Sequence, residues 1–139
     1  MAQAQLAYEI FLQRFSGPRW EALASRGARV QRPLWASTST KNPEYPDTLY
    51  VDTLIGPDTV NTMPENTLEA FEDHGTLARS VDADLDGARR VIDGVGRVGV
   101  DLDEVSAVLE EQGVASFAKS FDELMGSLGA KAAKVGGSG

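Results

Sequence analysis

Gln31-Arg-Pro-Leu-Trp-Ala-Ser-Thr-Ser-Thr-Lys-Asn-Pro43 and Thr59-Val-Asn-Thr-Met-Pro-Glu65 are the two stretches whose reading decides the fold. Residues 30–37 form a short apolar run after a polar loop, in which Leu34, Trp35 and Ala36 predict a buried strand. Thr59 to Met63 predicts a second short strand. Between them, Thr38 to Pro43 read as a polar loop. Pro46-Asp47 then opens a short helix through Leu49, Tyr50 and Leu54, broken by Gly56-Pro57. Pro64 falls where the first turn of a helix tolerates a proline. That helix runs to His74 and stops at Gly75. Strand, loop, helix, strand, helix is a β/α unit, and a helical crossover makes the two strands parallel. Two parallel strands alone cannot close a barrel or cover both faces of a sheet.

The flanks are helical. Leu6, Tyr8, Ile10, Phe11 and Phe15 place an apolar stripe on a helix over residues 2–15. No good N-cap precedes it, so it is either a frayed terminal helix or the continuation of a longer chain. A second helix follows from Pro18 to about Ser25. Leu85, Ala88, Val91, Ile92 and Val95 predict a helix over residues 84–98, capped by Asp82 or Asp84. Asp101 with Glu104 forms a capping box for the next helix, which ends at Gly113. A last helix carries Phe117, Phe121, Leu124 and Leu128. The Gly-rich end, residues 134–139, reads as a flexible tail, a linker or an added scar. The acidic run Asp82–Asp86 reads as a solvated helix start. Leu34, Trp35, Val60, Leu68, Phe71, Val91, Val105, Leu109, Phe117 and Phe121 are the expected core.

The 139 residues suit one ordinary domain, and 42% apolar against 24% charged residues exclude a disordered chain. Thirteen basic and 21 acidic residues leave a net charge of −8, with most of the excess in residues 71–139. Neither half offers the positive surface that nucleic acid or an anionic membrane requires. There is no cysteine and one histidine. Thiolate catalysis, Cys-ligated metals and two-His metal motifs are therefore excluded. The cysteine-free composition fits a cytoplasmic location.

The loop Ser37-Thr-Ser-Thr-Lys41 is the best chemical candidate. It leaves the C-terminal end of a strand, where parallel α/β folds bind ligands. Its hydroxyls, one fixed cation and free backbone N–H groups suit a phosphate monoester; the alternative is an ordinary polar loop. Ser37, Ser39, Thr40 and Lys41 are the proposed phosphate-binding residues. Asn61 and Thr62 end the second strand and either line the same mouth or are satisfied internally. His74, at a helix C-terminus, is expected to be structural, and Trp35 to be core.

The two opening stretches, with Asp47-Thr-Leu-Tyr-Val51, closely resemble the C-terminal part of bacterial transaldolases of the actinobacterial type. Ala4-Gln-Leu-Ala-Tyr8, Gly99-Val-Asp-Leu-Asp103 and Leu109-Glu-Glu-Gln-Gly113 are similar too. The likeness covers residues 2–133. It implies the C-terminal part of a TIM-type (β/α)8 barrel over residues 1–133, with residues 32–37 as strand 7 and 59–63 as strand 8. The chain then begins in the helical region between strands 6 and 7. The resemblance further implies an enzyme of the pentose phosphate pathway. It transfers a dihydroxyacetone unit from sedoheptulose 7-phosphate to glyceraldehyde 3-phosphate, through a lysine Schiff base and without metal or organic cofactor.

One departure stands out. The family's Schiff-base lysine sits in a strand segment of the type Lys-Ile-Pro-Ala-Thr, and this sequence has none; the acid–base carboxylate of an early strand is also missing. Its lysines are Lys41, Lys119, Lys131 and Lys134. A Schiff-base lysine needs desolvation or a neighbouring cation, and Lys41 lies in a polar loop. By position Lys41 resembles the basic residue that meets the substrate phosphate. The chain is thus expected to supply phosphate-side residues, to contain no catalytic residue and to be inactive alone. Its expected partners are sugar phosphates and the N-terminal part of the barrel, or a second copy through exposed strand edges. Two other readings are a non-catalytic helical assembly or binding module built from this piece, and the junction of a transaldolase fused to a glucose-6-phosphate isomerase.

Overall fold

A computed structural model describes residues 1–136. The chain divides into two compact units, Met1–Gly94 and the residues from Val95 onward.

In the first unit, α1 (Ala2–Arg14) and α2 (Gly17–Ala24) precede the strand β1 (Leu34–Trp35). A one-turn helix α3 (Leu49–Asp52) leads to β2 (Val60–Asn61), and α4 (Glu65–His74) follows. The helix α5 (Leu85–Arg97) begins in this unit. The two strands pair in parallel, Leu34 opposite Val60 and Trp35 opposite Asn61. That is the predicted order and direction, with each strand shorter than its apolar run. Pro33 and Trp35 offer carbonyls to the N–H groups of Val60 and Thr62, at 2.9 and 3.0 Å. Each strand pairs only with the other, so both outer edges are open among the described residues.

The core lies beside the sheet. Tyr8, Phe11, Leu54 and Val81 are buried together, with Ala4, Phe15, Val30 and Trp35 packed against them. The aromatic rings run in a file along α1 into α2: Tyr8 to Phe11 at 5.7 Å, Phe11 to Phe15 at 5.2 Å, and Phe15 to Trp20 edge-on at 4.8 Å. Each polar tip finds an acceptor. Tyr8 donates to the Pro57 carbonyl at 3.1 Å and Trp35 Nε1 to the Leu54 carbonyl at 3.0 Å. The segment from Ser80 to Val81 is stitched to Ile55, whose carbonyl accepts both N–H groups, at 2.9 and 3.1 Å.

The expected core needs correction. Trp35, Val60 and Phe71 are half-buried, while Leu34, Leu68, Val91, Val105, Leu109, Phe117 and Phe121 are exposed. Apolar periodicity identifies the face an element offers. It does not say whether anything covers that face.

The second unit contains α6, which runs unbroken from Leu102 to Gly136. Two helices separated at Gly113 were expected, and residues 134–136 belong to the helix rather than to a tail. The remainder of the expected tail, residues 137–139, lies outside the described residues. A helix-interior glycine costs about 1 kcal/mol relative to alanine, and the good helix formers on either side of Gly113 outweigh it. The predicted cap is present: Asp101 Oδ1 accepts the N–H groups of Asp103 and Glu104 at 2.9 and 3.2 Å. At α5, Asp84 is the capping residue, accepting the Gly87 N–H at 2.7 Å. Asp82 pairs with Arg79 instead, with its Oδ1 2.9 Å from Arg79 Nε, and that guanidinium holds its carboxyl below the usual range.

Candidate functional site

The C-terminal end of β1 opens into a cavity of about 390 Å³. Met1, Ala4, Leu34, Trp35 and Leu54 supply apolar walls, and Ser37, Thr38 and Tyr50 line it with hydroxyl-bearing side chains. The position follows from the fold, because a parallel strand ends where its loop must leave the sheet.

The chain turns sharply at that point. Ser37 has φ of 56°, the left-handed region that favours glycine. Holding a serine there costs about 1–2 kcal/mol, so its neighbours must restrain it. Thr38 does so. It is 3% exposed, and its hydroxyl donates to Asn61 Oδ1 at 2.8 Å, with the Thr62 carbonyl a second acceptor at 3.3 Å. One buried hydroxyl thus ties the loop after β1 to the end of β2.

The six residues singled out from the sequence fall into four groups. Ser37 lines the cavity. Ser39 and Lys41 touch each other, with Lys41 Nζ donating to Ser39 Oγ at 3.1 Å on the exposed face of the loop. Thr40 turns aside and donates to the Asp47 carbonyl at 3.3 Å, anchoring the loop to the segment before α3. Asn61 and Thr62 meet the loop through Thr38 rather than lining the cavity. Residue type alone did not single out Thr38 or Tyr50. Thr38 is one hydroxyl among four in its loop, and only burial separates it from the others. Tyr50 reaches the cavity from a single turn of helix whose orientation no spacing rule supplies.

His74 closes the other side of the loop. Its Nε2 lies 2.8 Å from Asp47 Oδ1 and its Nδ1 3.0 Å from Asp73 Oδ2. Both partners are carboxylates and only accept, so both bonds form when the ring carries two protons. The hydrogen bond to Asp47, then that to Asp73, raises the His74 pKa; the bond from His74 lowers that of Asp47. Because the His74 pKa is raised on folding, its contribution is complete below the free-histidine value and is lost as pH rises through the folded value. Because the Asp47 pKa is lowered, its contribution is present above the free-aspartate value and is lost as pH falls through the folded value. The clip is therefore intact between the lowered Asp47 value and the raised His74 value. An NMR titration of the single imidazole is expected to give a pKa above that of free histidine, returning toward it in Asp47→Asn. An unshifted wild-type curve would mean that the clip does not form.

Gly75 ends α4 for a different reason from the one its position suggests. Its φ is −67°, so no left-handed turn is involved. A Cβ there would lie 2.2 Å from Phe71 Cδ2 and 2.6 Å from the Phe71 carbonyl oxygen. Close approach, not backbone handedness, requires glycine.

No group of side chains suited to a metal ion occurs among the described residues, and no described helix is long and apolar enough to cross a membrane.

A profile of the family described as transaldolase/fructose-6-phosphate aldolase matches residues 1–128. A transaldolase from Frankia alni is 50% identical over 140 residues, covering 100% of this chain and 38% of the relative. One from Thermobifida fusca is 52% identical over 126 residues, covering 90% and 34%. One from Mycobacterium leprae (strain TN) is 50% identical over 127 residues, with the same two shares. The chain thus spans little more than a third of the length of these relatives.

Proposed function

Because the chain belongs to the transaldolase/fructose-6-phosphate aldolase family, we propose that it forms the C-terminal, phosphate-side part of a transaldolase barrel. In this reading β1 and β2 are the last two strands of a (β/α)8 barrel. The complete enzyme moves a dihydroxyacetone unit from sedoheptulose 7-phosphate to glyceraldehyde 3-phosphate through a lysine Schiff base. The observation that carries the reading is the parallel β1–β2 pair with the hydroxyl-rich loop at its C-terminal end. Barrel enzymes of this kind place substrate at that end, commonly with a phosphate held by the loops after the last strands.

The geometry supports the following roles. Ser39 and Lys41, in contact at 3.1 Å, present a hydroxyl and a cation together to a phosphate dianion. Ser37, held left-handed, lines the cavity together with Thr38. Thr38, Asn61 and the Thr40–Asp47 bond keep the loop in place. None of these groups takes part in carbon–carbon bond cleavage, so the chain supplies binding and orientation. The nucleophilic lysine and its carboxylate belong to the rest of the barrel.

Two measurements test this. Fructose 6-phosphate added to the ¹⁵N-labelled chain is expected to shift the amides of Ser37 to Lys41, and fructose is not; equal shifts with both would overturn the phosphate assignment. Borohydride treatment with fructose 6-phosphate is expected to leave the chain's mass unchanged. An adduct mapped to Lys41 would make that lysine the nucleophile and overturn its binding role.

A further inference from the structure

We infer that His74 is a positioning residue for phosphate binding: through Asp47 it holds Thr40 and the adjoining Lys41 in place, and deprotonation of its ring loosens that hold. The inference rests on the assignment of Ser37 to Lys41 as the phosphate-binding loop. It adds to that loop a residue from another element and a dependence of affinity on pH.

The loop is fixed at both roots and exposed between them. At one root Thr38 is buried against Asn61 and the Thr62 carbonyl. At the other, buried Thr48 donates to Asp52 Oδ2 at 2.7 Å. Residues 41–47 are all exposed. Asn42 to Tyr45 bond only within their own turn, Tyr45 N–H to the Asn42 carbonyl at 3.2 Å and Glu44 N–H to Asn42 Oδ1 at 3.0 Å. Asp47 ties this stretch down from both of its ends. Its carbonyl accepts the Thr40 hydroxyl at 3.3 Å, and its Oδ1 meets His74 Nε2 at 2.8 Å. The histidine stands on firmer ground. It is the last residue of α4, where the Gly75 N–H bonds the Phe71 carbonyl at 2.9 Å and the Thr76 N–H bonds Asp52 Oδ1 at 2.9 Å. When the contact between His74 and Asp47 weakens, the loop is therefore the side that moves. Thr40 moves with Asp47, and Lys41 follows Thr40 through the backbone.

Asp47 from the loop and Asp73 from its own helix are the charged groups that bear on the ring. With two protons the ring donates to both carboxylates. With one proton it has a single donor. If that proton stays on Nε2, the bond to Asp47 survives without its charge, and a charge-assisted bond is about twice as strong as a neutral one. If it stays on Nδ1, the bond to Asp47 is lost. Either tautomer weakens the hold on the loop. The step comes as pH rises through the folded His74 value, which lies above that of free histidine. The ring is half exposed and Asp47 more so, so the contact has the modest strength of a surface ion pair. The fraction of loops held ready for phosphate falls accordingly, and apparent affinity falls with it, about two- to fivefold.

The test titrates the ¹⁵N-labelled full chain with fructose 6-phosphate at pH values on both sides of the imidazole transition, reading the Thr40 and Lys41 amides. The same titrations are run with sulfate, which keeps both charges throughout and so separates the protein's step from the sugar phosphate's own ionisation. Affinity for both anions is expected to fall about two- to fivefold as the ring loses its proton. Without any anion, the Thr40 and Lys41 amides should titrate with the pKa of the single imidazole. His74→Gln, at an exposed position, keeps a neutral donor and cannot titrate. It should hold sulfate at the weaker level at every pH, with no step. A step seen with fructose 6-phosphate but not with sulfate, no step with either, or a sulfate step that persists in His74→Gln would each overturn this inference and leave the phosphate assignment standing. Loop amides that respond to neither anion at any pH would overturn the phosphate assignment and this inference together.

Discussion

Tyr8→Ala is expected to destabilise the chain by about 3–5 kcal/mol, the cost of removing a large aromatic side chain from a packed interior. Tyr8 is 1% exposed and stands at the centre of the cluster formed with Phe11, Leu54 and Val81. The site has little freedom to collapse. Val81 is fully buried and fixed by its N–H bond to the Ile55 carbonyl, and a Cβ on Gly56 would lie 2.3 Å from Val81 Cγ1. Backbone therefore already fills the space into which neighbours would move. The truncation also leaves the Pro57 carbonyl without its donor. Tyr8→Phe keeps the volume and loses only the hydrogen bond, about 0.5–1.5 kcal/mol. Urea unfolding of the two variants separates the packing and polar parts. A Tyr8→Ala loss no larger than that of Tyr8→Phe would show that the ring is not the keystone of this core.

In a complete barrel carrying this chain, Lys41→Ala is expected to lower kcat/KM on phosphorylated substrates by roughly ten- to 150-fold. That is the effect of losing a charged hydrogen bond of about 1.5–3 kcal/mol. The phosphate dianion is unchanged during aldol cleavage, so the contact is equally strong in the ground and transition states. Its loss should therefore appear mainly in KM. Lys41→Arg keeps the cation and should retain much of the activity, less what the different shape of the guanidinium costs at Ser39. On unphosphorylated substrates the effect should nearly vanish. Steady-state kinetics on matched phosphorylated and unphosphorylated pairs provide the check, and equal losses on both would remove Lys41 from the phosphate site.

Much of the local structure was legible in the sequence because its causes are local. Pro64 before Glu65, Asp101 before Leu102 and the apolar run at Leu34-Trp35 act within one turn or one strand, and the structure places a helix start, a cap and a strand there. The parallel direction of β1 and β2 followed from the helix between them. The hydroxyl-rich loop was visible as composition. What its members do was not, because Thr38, Ser39 and Thr40 are chemically alike and differ only in what lies opposite them.

The sequence by itself determined the kinds of element, their order, the absence of thiol chemistry and the family motifs, all properties of residue type and short spacing. Tertiary structure alone decided that Thr38 is buried against Asn61 and that His74 reaches Asp47 across 27 positions. It also decided that Gly75 avoids the Phe71 ring while Gly113 passes unnoticed through α6, and that Tyr8 rather than Phe117 is core. The reason is common to them all. Burial and hydrogen-bond partnership belong to pairs of distant segments, and a periodic pattern states which face a segment offers without stating which surface receives it.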